Sequence, residues 1–166
     1  MAKISEDGAA LFSEVFKHGD KAIAAFTKYG DNAVDLIAKH GKKGLKLLDE
    51  YGDDLVKQYV KHGDEIIELI TKVGGNSSKN GKLLLKTLEK SSDDVCAAII
   101  KASKNSDSPR DINRVVRYLD AFGDDGLKNV KKWSGKIPEN ITYRQIQLWK
   151  KINTSGTRKL ANKLKQ

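Results

Sequence analysis

Residues 17–53 read KHGDKAIAAFTKYGDNAVDLIAKHGKKGLKLLDEYGD, nearly the same phrase three times over. A glycine stands at positions 8, 19, 30, 41, 52, 63 and 74, a spacing of eleven without a slip. Seven of the chain's 14 glycines therefore share one register, which marks an internal repeat. Aligned on that glycine, apolar residues fill the third, fourth, seventh and tenth places that follow. The fourth place holds Phe12, Ile23, Val34, Leu45, Val56 and Ile67, and the seventh holds Val15, Phe26, Ile37, Leu48, Tyr59 and Ile70. That spacing is a helical face rather than the alternation of a strand.

Two structures fit an eleven-residue helical period. One is a single long helix, because eleven residues complete three turns at about 3.67 residues per turn. The other ends a helix at each glycine and starts the next at the residue after it. Aspartate follows the glycine at 20, 31, 53 and 64, and lysine precedes it by two places at 17, 28, 39, 61 and 72. Acid at a helix start and base at a helix end suit the helix dipole, and a glycine inside each unit would cost a continuous helix roughly 0.8–1 kcal/mol. The expectation is the broken form, with glycine as C-cap and aspartate as N-cap. Two-turn helices do not persist alone, so they must stack into a compact all-α array.

The register pauses at GGNSSKNG, residues 74–81, and restarts at Gly81 with Leu84, Leu85 and Leu88, then Val95, Cys96 and Ile99 up to Ser103. A second connector, KNSDSPRD, ends where Ser108 is placed to cap a helix opening on Pro109, with Asp111 three residues on. Gly123 restores the phase through Leu127, Val130 and Trp133, so the repeat reaches about residue 135. Thr142 and Gln145 have capping-box spacing before a helix over Tyr143–Asn153, with Ile146, Trp149 and Ile152 on its apolar side. Thr157 is a candidate cap for a last basic helix. The chain thus divides into a repeat region, 1–103, and a basic helical region, 104–166.

Charge follows the same division. Residues 1–100 carry 15 Lys/Arg against 16 Asp/Glu, whereas residues 101–166 carry 16 against 6. Such asymmetry points to an anionic partner for the C-terminal part. The candidate contacts are Lys131, Lys132, Lys136, Arg144, Lys150, Lys151, Arg158, Lys159 and Lys163, beside Trp133, Tyr143 and Trp149. Basic groups plus rings are a common device for nucleic acid. The tryptophans also have the spacing of core residues, and the lysines that of a solvated face.

Other chemistry finds little support. His18, His40 and His62 alternate with Tyr29 and Tyr51 in one repeat column, which is a packing and helix-end position. No histidine lies in the basic half, so a histidine-dependent nuclease confined to it is excluded. No metal-ligand spacing and no cofactor motif appear, and Gly74-Gly75 with Lys79 lacks the spacing of a phosphate loop. The pairs Asp53-Asp54, Asp93-Asp94 and Asp124-Asp125 each open a unit and read as helix starts. Cys96 lies in an apolar run, where a buried thiol is expected. The opening MAKISEDGAA lacks the layout of a secretory signal, and no stretch approaches a membrane span, so a soluble chain is expected.

The runs KYGDNAVDLIAKHG and EYGDDLVKQYVKHGDEIIELITKVG resemble the Tyr-Gly-Asp helical repeats of large bacterial secreted proteins, notably polymorphic toxins. The resemblance covers residues 8–103. It implies origin in a toxin or effector, acting in the bacterial cytoplasm or delivered as part of a larger protein, and it transfers no active-site residue. Three functions stay open. The first is a non-enzymatic interaction scaffold whose basic part docks nucleic acid or an acidic protein such as an immunity protein. The second is a histidine-independent nuclease toxin, with Arg110, Asp111, Arg114, Arg117 and Tyr118 as candidate groups. The third is an amphipathic binder of membrane surfaces, which needs the continuous helix.

Overall fold

Gly30, Gly41, Gly52 and Gly63 each turn the chain at a single residue. The computed structural model describes residues 17–74 and 77–154, together with Ser13. Those residues form α1 Asp20–Tyr29, α2 Asp31–His62, α3 Asp64–Gly74, α4 Ser78–Lys90, α5 Asp93–Lys104, α6 Pro109–Lys132 and α7 Tyr143–Thr154, with no strand among them. Inside α2 the backbone leaves helical geometry at Gly41 (φ 56°, ψ −136°) and Gly52 (φ 54°, ψ −132°), so α2 is three ten-residue segments joined at corners. Gly30 and Gly63 adopt the same angles at its two ends. The protein is all-α, and its repeat is the broken form.

The corner differs in one respect from the expected cap. The φ values are positive, but ψ near −135° is the mirror image of extended backbone rather than the left-handed helical value near +47°. A Cβ makes this region prohibitive, and glycine alone enters it freely. Each glycine serves both helices: the Gly30 N–H donates to the Phe26 carbonyl at 2.7 Å, and the Ala33 N–H donates to the Gly30 carbonyl at 3.0 Å. The glycine is therefore C-cap of one segment and N-cap of the next. Asp20 and Asp31 fall one place later, in the first helical turn, and no side chain caps those starts. Their carboxylates act there through the positive end of the helix.

The chain divides into two compact units, Met1–Glu68 and Leu69–Gln166. This boundary lies within α3, whereas the charge shift lies near residue 103. In the first unit α1 packs against α2. Ala22, Ala33, Leu36, Ile37, Leu55 and Ile66 are wholly buried. Each large aliphatic side chain among them contributes about 1.5–3 kcal/mol by leaving water. Residues 23 or 24 apart meet. A Cβ placed on Gly52 would lie 3.0 Å from the Tyr29 hydroxyl, and one on Gly41 would lie 3.7 Å from His18 Nε2. His40 Nε2 lies 3.0 Å from Asp64 Oδ1, beside the corner at Gly63. One turn of the spiral is thus two repeat units, and the His/Tyr alternation in sequence becomes two edges in space. His18 packs at the Gly41 corner and His40 bonds at the Gly63 corner, helix-end positions as their column indicated.

In the second unit α6 packs against α4, α5 and α7. Gly123 (φ 54°, ψ −133°) is another corner of the same kind, so the repeat does extend into α6. Ser108 caps α6 by accepting from the Asp111 N–H at 3.3 Å. At α7 the capping box forms: Thr142 N–H donates to Gln145 Oε1 at 2.7 Å, and Gln145 N–H donates to Thr142 Oγ1 at 3.3 Å. Leu84, Leu85, Val95, Ile99 and Val116 fill the core, with Ile146 of α7. Trp133 meets the ring of Tyr118 and Trp149 that of Phe122, so both tryptophans join one aromatic cluster. Ile152 departs from expectation, because it stays 38% exposed on the outer side of α7 with Leu148. Cys96 is a buried thiol that donates to the Leu88 carbonyl at 3.4 Å. The proposed helix after Thr157 lies outside the described residues.

Candidate anion-binding groove

Arginines recur in α6 at 110, 114 and 117, spaced by four and three, which aligns them along one helical face. Arg114 is buried, and its guanidinium donates to the carbonyls of Pro138 and of Ile141, the latter at 2.8 Å. The Pro138 carbonyl also accepts from the Ile141 N–H at 3.0 Å, so Arg114 ties this turn, and the segment leading into α7, to α6. The Tyr143 hydroxyl donates to the Arg110 carbonyl at 2.6 Å, which joins the first turns of the two helices. Arg117 lies 5.5 Å from the centre of the Tyr143 ring and donates to Asn80 Oδ1 of α4 at 3.1 Å.

These ties shape a groove of about 450 Å³. Arg110 and Arg144 stand on it with Tyr143 and Thr142 between them in the lining, and Asp111 and Glu139 also border it. Both Arg110 and Arg144 are exposed, and neither is ion-paired among the described residues. Burial pushes the Tyr143 phenol above its ordinary value of 10, against the lowering pull of Arg117, Arg110 and Arg114, so it stays protonated at neutral pH. The groove offers two open guanidinium forks, a hydroxyl, a phenol ring and two carboxylate acceptors.

Of the nine basic residues singled out in sequence, Arg144 alone among those described lines this groove. Lys150 turns inward: with Lys90 it grips Asp120, whose side chain is 4% exposed. Burial raises the Asp120 carboxyl, and the bonds from Lys150 and Lys90 outweigh that and hold it below the ordinary carboxylate value. Lys131 lies 3.7 Å from Asp94 and borders a separate cavity between α5 and the end of α6. Lys136 borders a third cavity of about 190 Å³, which shares Asp111, Arg114 and Glu139 with the groove. Lys132 and Lys151 are exposed, and Arg158, Lys159 and Lys163 lie outside the described residues. Of the nuclease candidates, Arg110, Asp111 and Arg114 line the groove and Arg117 backs it through Tyr143. Tyr118 is buried in the aromatic cluster and accepts from Asn129 at 3.2 Å.

Sequence alone did not pair Arg110 with Arg144; the one pattern that could have done so is the parallel of Ser108-Pro109-Arg110 and Thr142-Tyr143-Arg144, a capping residue with arginine two places on. No group of His, Cys, Asp or Glu among the described residues has a metal-holding arrangement, and no described helix is long and apolar enough to cross a membrane. No family model matches the chain, and no curated protein or solved structure shows significant similarity to it.

Proposed function

We propose that this chain is a non-enzymatic helical-repeat interaction module of a bacterial toxin or effector, and that its second unit docks an anionic partner. The observation that carries the proposal is the pair Arg110 and Arg144, two exposed guanidiniums from different helices on one groove, neither in an ion pair among the described residues. Three arginines line the groove against two carboxylates, so its balance is positive and favours an anion. The glycine corners supply the scaffold by folding the repeat into a packed spiral. Those corners also remove the continuous helix that a membrane-surface role requires. The test is retention on immobilised heparin at low salt. Wild type should be retained and released by salt, and Arg110→Ala with Arg144→Ala should elute markedly earlier. Equal elution of the two proteins would sink the assignment of the groove.

A nuclease reading has one observation in its favour: Asp111 and Glu139 share the groove with the arginines, so acid, base and charge-stabilising groups lie together. Incubation with total RNA and DNA decides it. Intact nucleic acid after prolonged exposure removes this reading and leaves the binding module.

A further inference from the structure

We infer that the groove between the starts of α6 and α7 recognises a nucleotide unit of single-stranded nucleic acid. This rests on the anionic-partner reading and narrows it to one chemistry. A surface built for bulk polyanions would present cations alone. This groove mixes Arg110 and Arg144 with Asp111 and Glu139, and sets the Tyr143 ring and the Thr142 hydroxyl among them. The complement of that mixture is one oxyanion, hydrogen-bond donors beside it, and a flat π-face.

A nucleotide has all three. The two guanidiniums come from two separate helices, so their forks can reach different oxygens of a tetrahedral phosphate rather than one planar carboxylate. The carboxylates of Asp111 and Glu139 accept from ribose hydroxyls or exocyclic amines, and they repel the neighbouring charges of an acidic peptide. Tyr143 is held in place from two directions, by its hydroxyl on the Arg110 carbonyl and by Arg117 at its ring. A fixed ring at a half-exposed site is a platform for an unstacked base. The 450 Å³ volume falls in the range of small-ligand pockets, roughly 300–1,000 Å³, and is too small for a duplex. Bases stacked inside a duplex cannot reach the ring, so single strands are favoured.

The test is fluorescence anisotropy with the full chain and a labelled single-stranded oligonucleotide of mixed sequence. The competitors are polyglutamate and a duplex, each at equal charge. The oligonucleotide should bind, and neither competitor should displace it at equal charge. Arg110→Ala with Arg144→Ala should weaken binding about tenfold or more and make the salt dependence shallower by about two contacts. Arg110→Lys with Arg144→Lys should also weaken it while leaving the charge unchanged, because ammonium groups lack the fork. Lys42→Ala with Lys43→Ala, on the exposed first unit, should leave affinity intact. Polyglutamate or duplex competing equally well would overturn the nucleotide assignment while leaving an anion-docking module. Loss of every anion, polyglutamate and heparin included, would overturn that broader reading too.

Discussion

Lys150 of α7 and Asp120 of α6 form an ion pair whose acidic partner is almost wholly buried, and Lys90 of α4 reaches the same carboxylate. One acid thus ties three helices together. Thr87 Oγ1 approaches it as well, at 3.4 Å.

Replacing Asp120 with Asn should destabilise the second unit by about 1–3 kcal/mol, because two lysines lose their counter-charge beside the core. The lysines are half and one-third exposed, so water recovers part of the loss and the upper range for buried pairs is not reached. The Asp120 carboxyl lies below its ordinary value of 3.8 when folded. Its contribution is therefore complete above pH of about 4 and is lost as pH falls through the depressed folded value. Urea denaturation at pH 7 and near pH 3 checks both statements. A wild-type advantage over Asp120→Asn that stays constant down to pH 3 would contradict the linkage.

Gly52→Ala should cost about 1–3 kcal/mol despite the general gain of alanine in helices, because φ of 54° with ψ of −132° is closed to an L side chain. The Tyr29 hydroxyl, 3.0 Å from the new Cβ, would have to shift in addition. A continuous-helix repeat makes the opposite prediction, a gain near 1 kcal/mol. Thermal unfolding followed by circular dichroism separates the two by sign alone.

Tyr59 donates to Asp35 Oδ2 at 2.5 Å and approaches Asp64 Oδ1 at 3.4 Å. Burial first, and then these carboxylates, push its phenol well above the ordinary value of 10. The unfolded chain releases that proton first as pH rises, so stability is full below pH of about 10 and declines above it. Tyr59→Phe should cost about 1 kcal/mol at neutral pH and show a flatter decline between pH 10 and 11. Lysine titration is common to both proteins, so the difference between their curves isolates the phenol. Identical alkaline curves would show that the phenol is not held in this way.

Arg114→Lys should loosen the groove without changing its net charge. A single ammonium cannot span the Pro138 and Ile141 carbonyls as the guanidinium does, and loss of one such part-buried bond costs about 1 kcal/mol. Amide hydrogen exchange over residues 133–142 should quicken in this variant, while exchange in α1 and α2 stays unchanged. Exchange quickened equally in both regions would point to global destabilisation instead.

The helices were legible because their determinants are local. A glycine every eleven residues forces the break, and after two connectors the pattern returns at Gly123, where the same backbone angles recur. Ser108 and the Thr142–Gln145 pair announce helix starts by side-chain chemistry that acts within three residues. The exact form of the corner was hidden, since glycine at positive φ fits several ψ values. The groove was hidden for another reason. Arg110 and Arg144 are 34 residues apart, and what unites them is Arg114 bonding backbone carbonyls, which are the same in every residue. Counting charge likewise could not separate Lys150 from its neighbours, because its partner Asp120 stands inside α6, far from the acidic pairs that open units.

Two repeat units per turn impose a parity on the first unit of the protein. An inserted segment of eleven residues would carry every later histidine to the edge where tyrosines sit, and every tyrosine to the other. Insertion of twenty-two residues would leave both edges as they are. The His40–Asp64 bond belongs to one edge and the Tyr29–Gly52 approach to the other. Growth of such an array by duplication therefore keeps its chemistry only when units are added in pairs.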